Sequence, residues 1–356
     1  MFEDKPNSIA LRSVVTCALC GSVERTTIFS EVQDYLYDVP GTFCYVQCSK
    51  CAMVFQDPRP AEEELSKCYT SYHTHQTEEL PDSFIQEWSG VTRWIRGGIL
   101  RSKYGYKHFD VSRSEILFSR LLDFVPYVRN RARCGLGVGR GSGLPHFRGS
   151  GQALDIGTGA GVYAATLKRL GWNVTGVEFD ASAAHVASER MKLNIYVGSL
   201  EDAEFGAESF DFVSMFHVIE HLPDPLSTLK ECFRVMNNRA KIIIRTPNFN
   251  SLTRRVYGKF WRGVEAPRHL FLFSPDTLVK MLERAGFHVT SITTTKGAAR
   301  FYVQASQKIL ERESHHSGKS VLNSLRTGAL VLAARVGYLL RIKIGDELHI
   351  EAVKAD

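Results

Sequence analysis

The sequence lacks any apolar run long enough to cross a bilayer. Its longest, ALVLAARVGYLL at residues 329–340, is interrupted by Arg335 and falls well short of the roughly 20 residues that a spanning helix needs. The opening residues MFEDKPNS carry no basic segment followed by an apolar one, which argues against a secretory leader and for a cytoplasmic chain. A strong charge imbalance is missing too. The 44 Lys and Arg against 38 Asp and Glu leave +6 over 356 residues, which suits an anionic substrate or a membrane surface as readily as nucleic acid; nucleic acid is not the expected partner. What remains is an ordinary globular composition, 44% hydrophobic and 23% charged, with enough chain for an enzyme-sized core plus a smaller module.

Four of the eight cysteines, Cys44, Cys68, Cys134 and Cys232, have no partner by spacing and read as buried thiols. The other four form Cys17-Ala-Leu-Cys20 and Cys48-Ser-Lys-Cys51. In a cytosolic chain two such pairs favour zinc over disulfides, because each C-x-x-C bends around one ion and four thiolates complete a tetrahedron. Gly21 follows the first pair, as a tight knuckle requires. Residues 1–60 are therefore expected to form a zinc ribbon, whose closed metal site leaves no position for catalysis.

Residues 61–135 read as a helical connecting region, with Tyr69, Tyr72, Trp88, Trp94, Tyr104 and Tyr106 interleaved with Arg93, Arg96, Arg101 and Lys103. Such interleaving can bind nucleic acid or sugars, but packing of helices onto a neighbouring domain is the preferred reading. SEILFSRLLDFV at 114–125 has helical apolar spacing. The Gly- and Arg-rich 136–151 has no periodicity and is expected to be a loop.

From residue 152 short apolar runs alternate with amphipathic segments. ALDI, NVTGVEF, NIYVGS, FDFVSMFHV and AKIIIRT read as strands, separated by the helices YAATLKRLG, ASAAHVASERM and PLSTLKECFRVM. The order predicts an α/β fold with a doubly wound, mostly parallel, Rossmann-like sheet whose ligands bind beyond the strands' carboxyl ends. HVTSITTT at 288–295 and ELHIEAVK at 347–354 would extend it. The first strand runs into LDIGTGAGVY, with glycines at 157, 159 and 161; Val162 stands where a dinucleotide fingerprint would place its third glycine. Glu178 closes the second strand, placed to accept hydrogen bonds from a ribose.

These blocks, in order with CALCGS, CSKCAMVFQDPRP, WRGVEAPRHLFLFSPDTLVKMLERAGF and GDELHIEAVK, resemble the class I S-adenosylmethionine-dependent methyltransferases that carry an N-terminal zinc ribbon, in a sugar- or quinone-O-methyltransferase-like branch. The resemblance implies a seven-strand sheet with an antiparallel last strand. It also implies a catalytic domain over 152–356 with an acceptor insert at 247–273 and a helical insert at 299–343. It would place Asp155, Gly157 and Gly159 at the methionine end of S-adenosylmethionine, Glu178 at the ribose and Phe179 on the adenine, with Ser199 and Leu200 beside it and His217 at the rim.

For the acceptor, two segments stand out. His217-Val-Ile-Glu220-His221 follows the fourth strand; His221 is the first candidate for a general base, His269 the second, with Glu220 orienting its neighbour, or else Glu220 and His221 only lock the following loop. A competing mechanism is a divalent ion such as magnesium held by His217, Glu220 and His221, since a similar E-x-x-E-H segment in quinone-biosynthesis O-methyltransferases binds one. The insert offers Trp261 as a stacking wall and Arg262, Glu265 and Arg268 as polar contacts. The expected reaction is O-methylation of a sugar or glycan-linked hydroxyl. The alternatives are a phenolic or quinone-type acceptor, and a catalytically inactive binding module. The 322–343 segment is expected to pack as helix, with peripheral contact to the inner face of a membrane as the alternative.

Overall fold

The computed structural model describes residues 9–69, 90–107, 112–123, 144–294, 298–313, 321–340 and 342–355. Tyr72, Trp88, Cys134 and most of the Gly/Arg-rich loop lie outside the described residues, as do the side chains of Arg93, Trp94 and Arg96.

The chain begins with β1 (Leu11–Arg12), β2 (Arg25–Val32), β3 (Phe43–Cys48), β4 (Val54–Gln56) and β5 (Arg59–Pro60), then a 3-10 segment at Glu62–Tyr69. Helices α1 (Gly90–Tyr104) and α2 (Arg113–Asp123) follow. They cross closely: a Cβ on Gly98 of α1 would fall 2.4 Å from the Ser119 hydroxyl of α2. Then come β6 (Gln152–Ile156), α3 (Val162–Arg169), β7 (Asn173–Glu178), α4 (Ala181–Met191), β8 (Asn194–Val197), β9 (Phe210–Phe216), α5 (Pro225–Val235) and β10 (Met236–Pro247). After α6 (Leu252–Tyr257) and β11 (Phe271–Leu272) the chain forms α7 (Pro275–Arg284), β12 (Phe287–Thr294), α8 (Ala299–Glu313), α9 (Val321–Leu339) and β13 (Glu347–Lys354).

Seven strands form one sheet in the order β12-β13-β10-β9-β6-β7-β8. The β6–β7, β6–β9 and β7–β8 pairs are parallel, in the register Asp155 opposite Gly176 and Ser214. The order reverses at β6: the chain moves outward through β7 and β8, then returns to the other side with β9. Such a reversal opens a crevice at the carboxyl ends, where the glycine loop sits. This is the doubly wound, Rossmann-like architecture expected from the strand pattern.

Two compact units divide the chain. One holds His73–Met215, Glu231–Ile243 and Val353–Asp356; the other holds Met1–Tyr72, Phe216–Lys230 and Ile244–Ala352. In the first, Tyr106 is fully buried, its hydroxyl donating to the Pro145 carbonyl (2.8 Å) and accepting from the Trp172 indole (3.1 Å). Trp172 in turn packs against Phe147 and Phe212. The aromatic that follows α1 thus belongs to a buried aromatic cluster with Phe147, Trp172 and Phe212, each polar end satisfied.

In the second unit the N-terminal strands form a four-stranded sheet ordered β11-β4-β3-β2. Its fourth strand, β11, comes from the insert after β10, with Phe271 opposite Phe55 and Leu272 opposite Val54. The ribbon was expected as a module over 1–60; its sheet is completed by residues more than 200 positions later. The same unit buries Val32, Phe43, Tyr45 and Val54 with Phe249, Tyr257, Trp261 and Val264 in one cluster. Helix α7 is fixed by Ser274 as N-cap, in a capping box with Thr277, by Pro275 in its first turn and by Gly286 beyond its end.

Candidate active site and metal centre

The glycine loop leaves β6 through Gly157, Gly159 and Gly161, all at positive φ (67°, 54° and 85°). Their roles differ. A Cβ on Gly159 would meet nothing, so that position faces open space, whereas one on Gly161 would strike Leu193 and Ala187. Gly161 is therefore needed for packing the loop onto α4, and Gly159 leaves room for a ligand. Glu178, at the end of β7, closes the loop from the other side: one carboxylate oxygen accepts from the Gly159 amide (2.7 Å), the other from the Asp180 amide (2.9 Å). An ionised carboxylate has about four acceptor sites, so two remain for a ribose. Phe179, next in the chain, is 70% exposed.

Asp155 is buried at the end of β6, held by the Ser214 hydroxyl of β9 (2.7 Å). Burial pushes its carboxyl up to about 7; the Ser214 bond opposes that shift and the Glu178 charge adds to it. A cation such as a sulfonium would offset the burial. The Ser199 hydroxyl is committed to its own turn, bonding Asp202 Oδ2 (2.6 Å) and the Asp202 amide (3.1 Å), and Leu200 is buried. Only their backbone groups are candidates for adenine contacts.

In the other unit, His217 has left-handed backbone (φ 56°), an arrangement that costs a non-glycine residue on the order of 1 kcal/mol and clusters at functional sites. Its Nε2 lies 2.7 Å from Glu347 Oε1 and its Nδ1 3.4 Å from Glu220 Oε1. Desolvation lowers the pKa of this ring, whose side chain is 43% exposed, but the Glu220 and Glu347 carboxylates beside it push it up to about 10. Glu220 is buried. Its Oε2 accepts from Thr246 (2.9 Å), and the 3.4 Å approach of His217 to Oε1 is an ion contact rather than a hydrogen bond. The backbone carbonyl of Glu220 accepts from Leu270 and Phe271, which pins the start of β11.

His221 and His269 stand edge to face, ring centroids 4.6 Å apart. His221 Nδ1 lies 3.0 Å from the Arg268 carbonyl and 2.9 Å from the Tyr69 hydroxyl; His269 Nδ1 lies 2.8 Å from the Gly263 carbonyl. Carbonyls only accept, so Nδ1 carries the proton on both rings and Nε2 keeps its lone pair. Burial lowers both to about 4, so each is neutral near pH 7. One donor atom each from Glu220, His221 and His269 lies within 4.8 Å of the others. The sequence had suggested His217, Glu220 and His221 as the ion-binding set. The group that converges is Glu220, His221 and His269, while both His217 nitrogens face Glu347 and Glu220; a site of two imidazoles with one carboxylate is ill matched to magnesium, which takes oxygen ligands.

The insert residues are placed differently from the open pocket wall that their types suggest. Trp261 lies in the core, its indole N–H 3.3 Å from Asp346 and its ring stacked on Tyr302. Arg268 is 0% exposed; it grips Asp34 with two bonds (2.7 and 2.8 Å), reaches the Cys68 carbonyl (3.2 Å) and stacks over Tyr37. Arg262 pairs with Glu265, which also faces Arg268 (3.3 Å) and His269 (3.4 Å). Burial raises the Glu265 carboxyl, but Arg262, His269 and Arg268 outweigh it and hold it far below the usual range. These groups form a charge-balanced wall behind the histidines; Arg268 in particular has no spare donor face for an anionic acceptor.

Sequence reading missed Asp34, Tyr45, Tyr69, Thr246, Asp346 and Glu347. Tyr45 donates to the His269 carbonyl (2.7 Å) from β3. Glu347 and Asp346 come from the GDE that opens β13, a block whose resemblance was legible while its contacts were not. Nothing in local spacing signals Asp34, Tyr45 or Tyr69, because each meets its partner across more than 150 residues.

The four ribbon thiols converge. Cys17 and Cys51 sulfurs are 3.5 Å apart, as are those of Cys20 and Cys48, and all four lie within 4.8 Å of one another. Tetrahedral zinc with ~2.3 Å bonds would hold its sulfurs roughly 3.8 Å apart, close to this spacing and far from the ~2.05 Å of a disulfide. Each knuckle closes with a backbone N–H donating to the carbonyl of its first cysteine, Gly21 to Cys17 (2.8 Å) and Ala52 to Cys48 (3.0 Å), both donors left-handed. The thiols thus fit one structural zinc ion.

With this geometry in place, residues 120–292 match the model of a methyltransferase-domain family. A Mycolicibacterium smegmatis protein named "probable S-adenosylmethionine-dependent methyltransferase" is 31% identical over 150 residues, 41% of this chain and 55% of its own length. The ubiquinone biosynthesis O-methyltransferase of Vibrio cholerae is 25% identical over 159 residues, 40% and 63% of the two chains. The solved structure of a methyltransferase from Thermotoga maritima aligns with TM-score 0.40 at 21% identity, covering 58% and 84%. The chain spans little more than half the length of the two curated relatives. The family match falls on the part of the chain that holds the parallel strands, the glycine loop and the acid that closes β7, and the fold is that of a Rossmann-like methyltransferase.

Proposed function

We propose that the chain transfers a methyl group from S-adenosylmethionine to an acidic hydroxyl of the phenolic or quinone-derived class. His221 would act as base, Glu220 as its electrostatic partner, and Cys17, Cys20, Cys48 and Cys51 would hold a structural zinc. The observation that carries this reading is the edge-to-face pair of histidines, His221 half-buried and His269 buried, whose Nδ1 protons are fixed by carbonyls. Their Nε2 lone pairs can each take a proton. A phenol near pKa ~10 gives up its proton to a neutral imidazole more readily than a much less acidic sugar alcohol does. The relation to a ubiquinone biosynthesis O-methyltransferase supports the same class.

S-adenosylmethionine supplies a methyl carbon made electrophilic by the sulfonium, so the protein's share is alignment and removal of a proton. Asp155, Gly157 and Gly159 would receive its methionine end, Glu178 the ribose and Phe179 the adenine. As His221 takes the hydroxyl proton, the Glu220 charge would stabilise the new imidazolium.

The test is a panel of catechols, hydroquinones and nucleotide sugars incubated with S-adenosylmethionine and read by mass for methylated product. Turnover confined to phenols supports the reading. Turnover of sugars instead overturns the acceptor class and restores the sugar or glycan-linked hydroxyl expected from the sequence. Tight binding of S-adenosylmethionine with no turnover on any acceptor supports an inactive binding module. Chelation that abolishes turnover, restored by a divalent ion other than zinc, replaces the free base with a metal-assisted one.

A further inference from the structure

Helix α9 carries two apolar faces. One packs inward: Ala334 and Gly337 are buried, and Ile344, beyond the helix, folds back so closely that a Cβ on Gly337 would lie 2.6 Å from it. On the opposite side Leu332 (62% exposed), Val336, Leu339 (76%) and Leu340 recur at i, i+4, i+7 and i+8, one stripe along a 3.6-residue helix, and Ile342 extends it. Single exposed leucines are common on soluble proteins, but a stripe of this kind is not. No helix among the described residues is long and apolar enough to cross a membrane.

The charge around the stripe is one-sided. From residue 314 to 345 the sequence holds no Asp or Glu, but it holds Lys319, Arg326, Arg335, Arg341 and Lys343. Arg335 and Lys343 are exposed beside the stripe. We propose that this face of α9 is a docking surface for an anionic lipid bilayer, its leucines entering the interface while the basic side chains meet headgroup phosphates. A second copy of the chain is a poor occupant. Self-association through a two-fold would set each basic flank against its own copy with no acid in the segment to pair it.

The full-length protein is mixed with vesicles of phosphatidylcholine alone, or with about a third phosphatidylglycerol, and sedimented. Binding is expected only to the anionic vesicles at low salt, and is lost near ~1 M salt where the Debye length is about 3 Å. Leu332→Glu with Leu339→Glu, both exposed and so folding normally by thermal melt, should lower partitioning roughly ten-fold or more; Arg335→Glu, which leaves the stripe intact, should lower it several-fold. Three results overturn the proposal: no binding to anionic vesicles at low salt, equal binding to neutral ones, or full binding by both variants. A concentration-dependent dimer that Leu339→Glu splits would assign the face to self-association and overturn it as well. None of these readouts depends on the methyltransferase reaction.

Discussion

Asp155 and Glu178 end adjacent parallel strands, and the same loop separates their fates: Glu178 is held by two amides, while Asp155 is buried with one hydroxyl partner. Because its carboxyl is raised from 3.8 to about 7, the folded chain holds a proton there that the unfolded chain has lost. The stability this proton contributes is fully present below about pH 4 and disappears as pH rises through 7. A cationic cofactor would bind the ionised form better. Calorimetry should therefore show S-adenosylmethionine affinity falling by up to about ten-fold per unit below pH 7, and Asp155→Asn should flatten that dependence. His221 and His269 give the opposite expectation. With both near 4, kcat at saturating cofactor should stay level from pH 8 down to about 5, and His221→Ala should cost ~10²–10⁴-fold in kcat with cofactor affinity unchanged. A kcat that follows the pH 7 limb, or an unimpaired His221→Ala, would remove this residue as base.

At the scale of elements, the seven strands of the main sheet were legible to within a few residues, because buried strands beside amphipathic helices write their period directly into the sequence. β11 was not legible. Two residues, Phe271 and Leu272, carry no period, and their partner β4 lies far back in the chain. The candidate site shows the same division. The glycine turn and the acid that ends β7 are local features of the chain, and the structure pairs Gly159 with Glu178; Arg268 read as an acceptor contact because its partner Asp34 comes from the ribbon end of the chain. This pair yields a direct prediction. Arg268 has no exposure and Asp34 almost none, so removing one partner strands a buried charge. Asp34→Ala should lower unfolding free energy by roughly 3–5 kcal/mol in denaturant titration, whereas Asp38→Ala, whose pair with Arg312 is exposed, should change it by under about 1 kcal/mol.

For the whole molecule, the partition into compact units carries the functional consequence. The ribbon, the His217–His221 segment and the insert fall in one unit, while Asp155, the glycine loop and Glu178 fall in the other. Zinc at Cys17, Cys20, Cys48 and Cys51 would hold the knuckle that fixes β3, β3 carries Tyr45 to the His269 carbonyl, and β4 holds β11, which Glu220 anchors. Arg284 of α7 adds a bond to the Leu19 carbonyl inside the first knuckle. Elemental analysis should find about one zinc per chain. Stripping it with a strong chelator, or replacing Cys17 with Ser, should raise the acceptor KM and lower kcat while the calorimetric affinity for S-adenosylmethionine stays within about two-fold, since no ribbon residue belongs to the unit that holds the cofactor loop. If cofactor affinity falls in step with turnover, zinc supports the fold as a whole rather than the acceptor side. If neither changes, the four thiols hold the ribbon without metal.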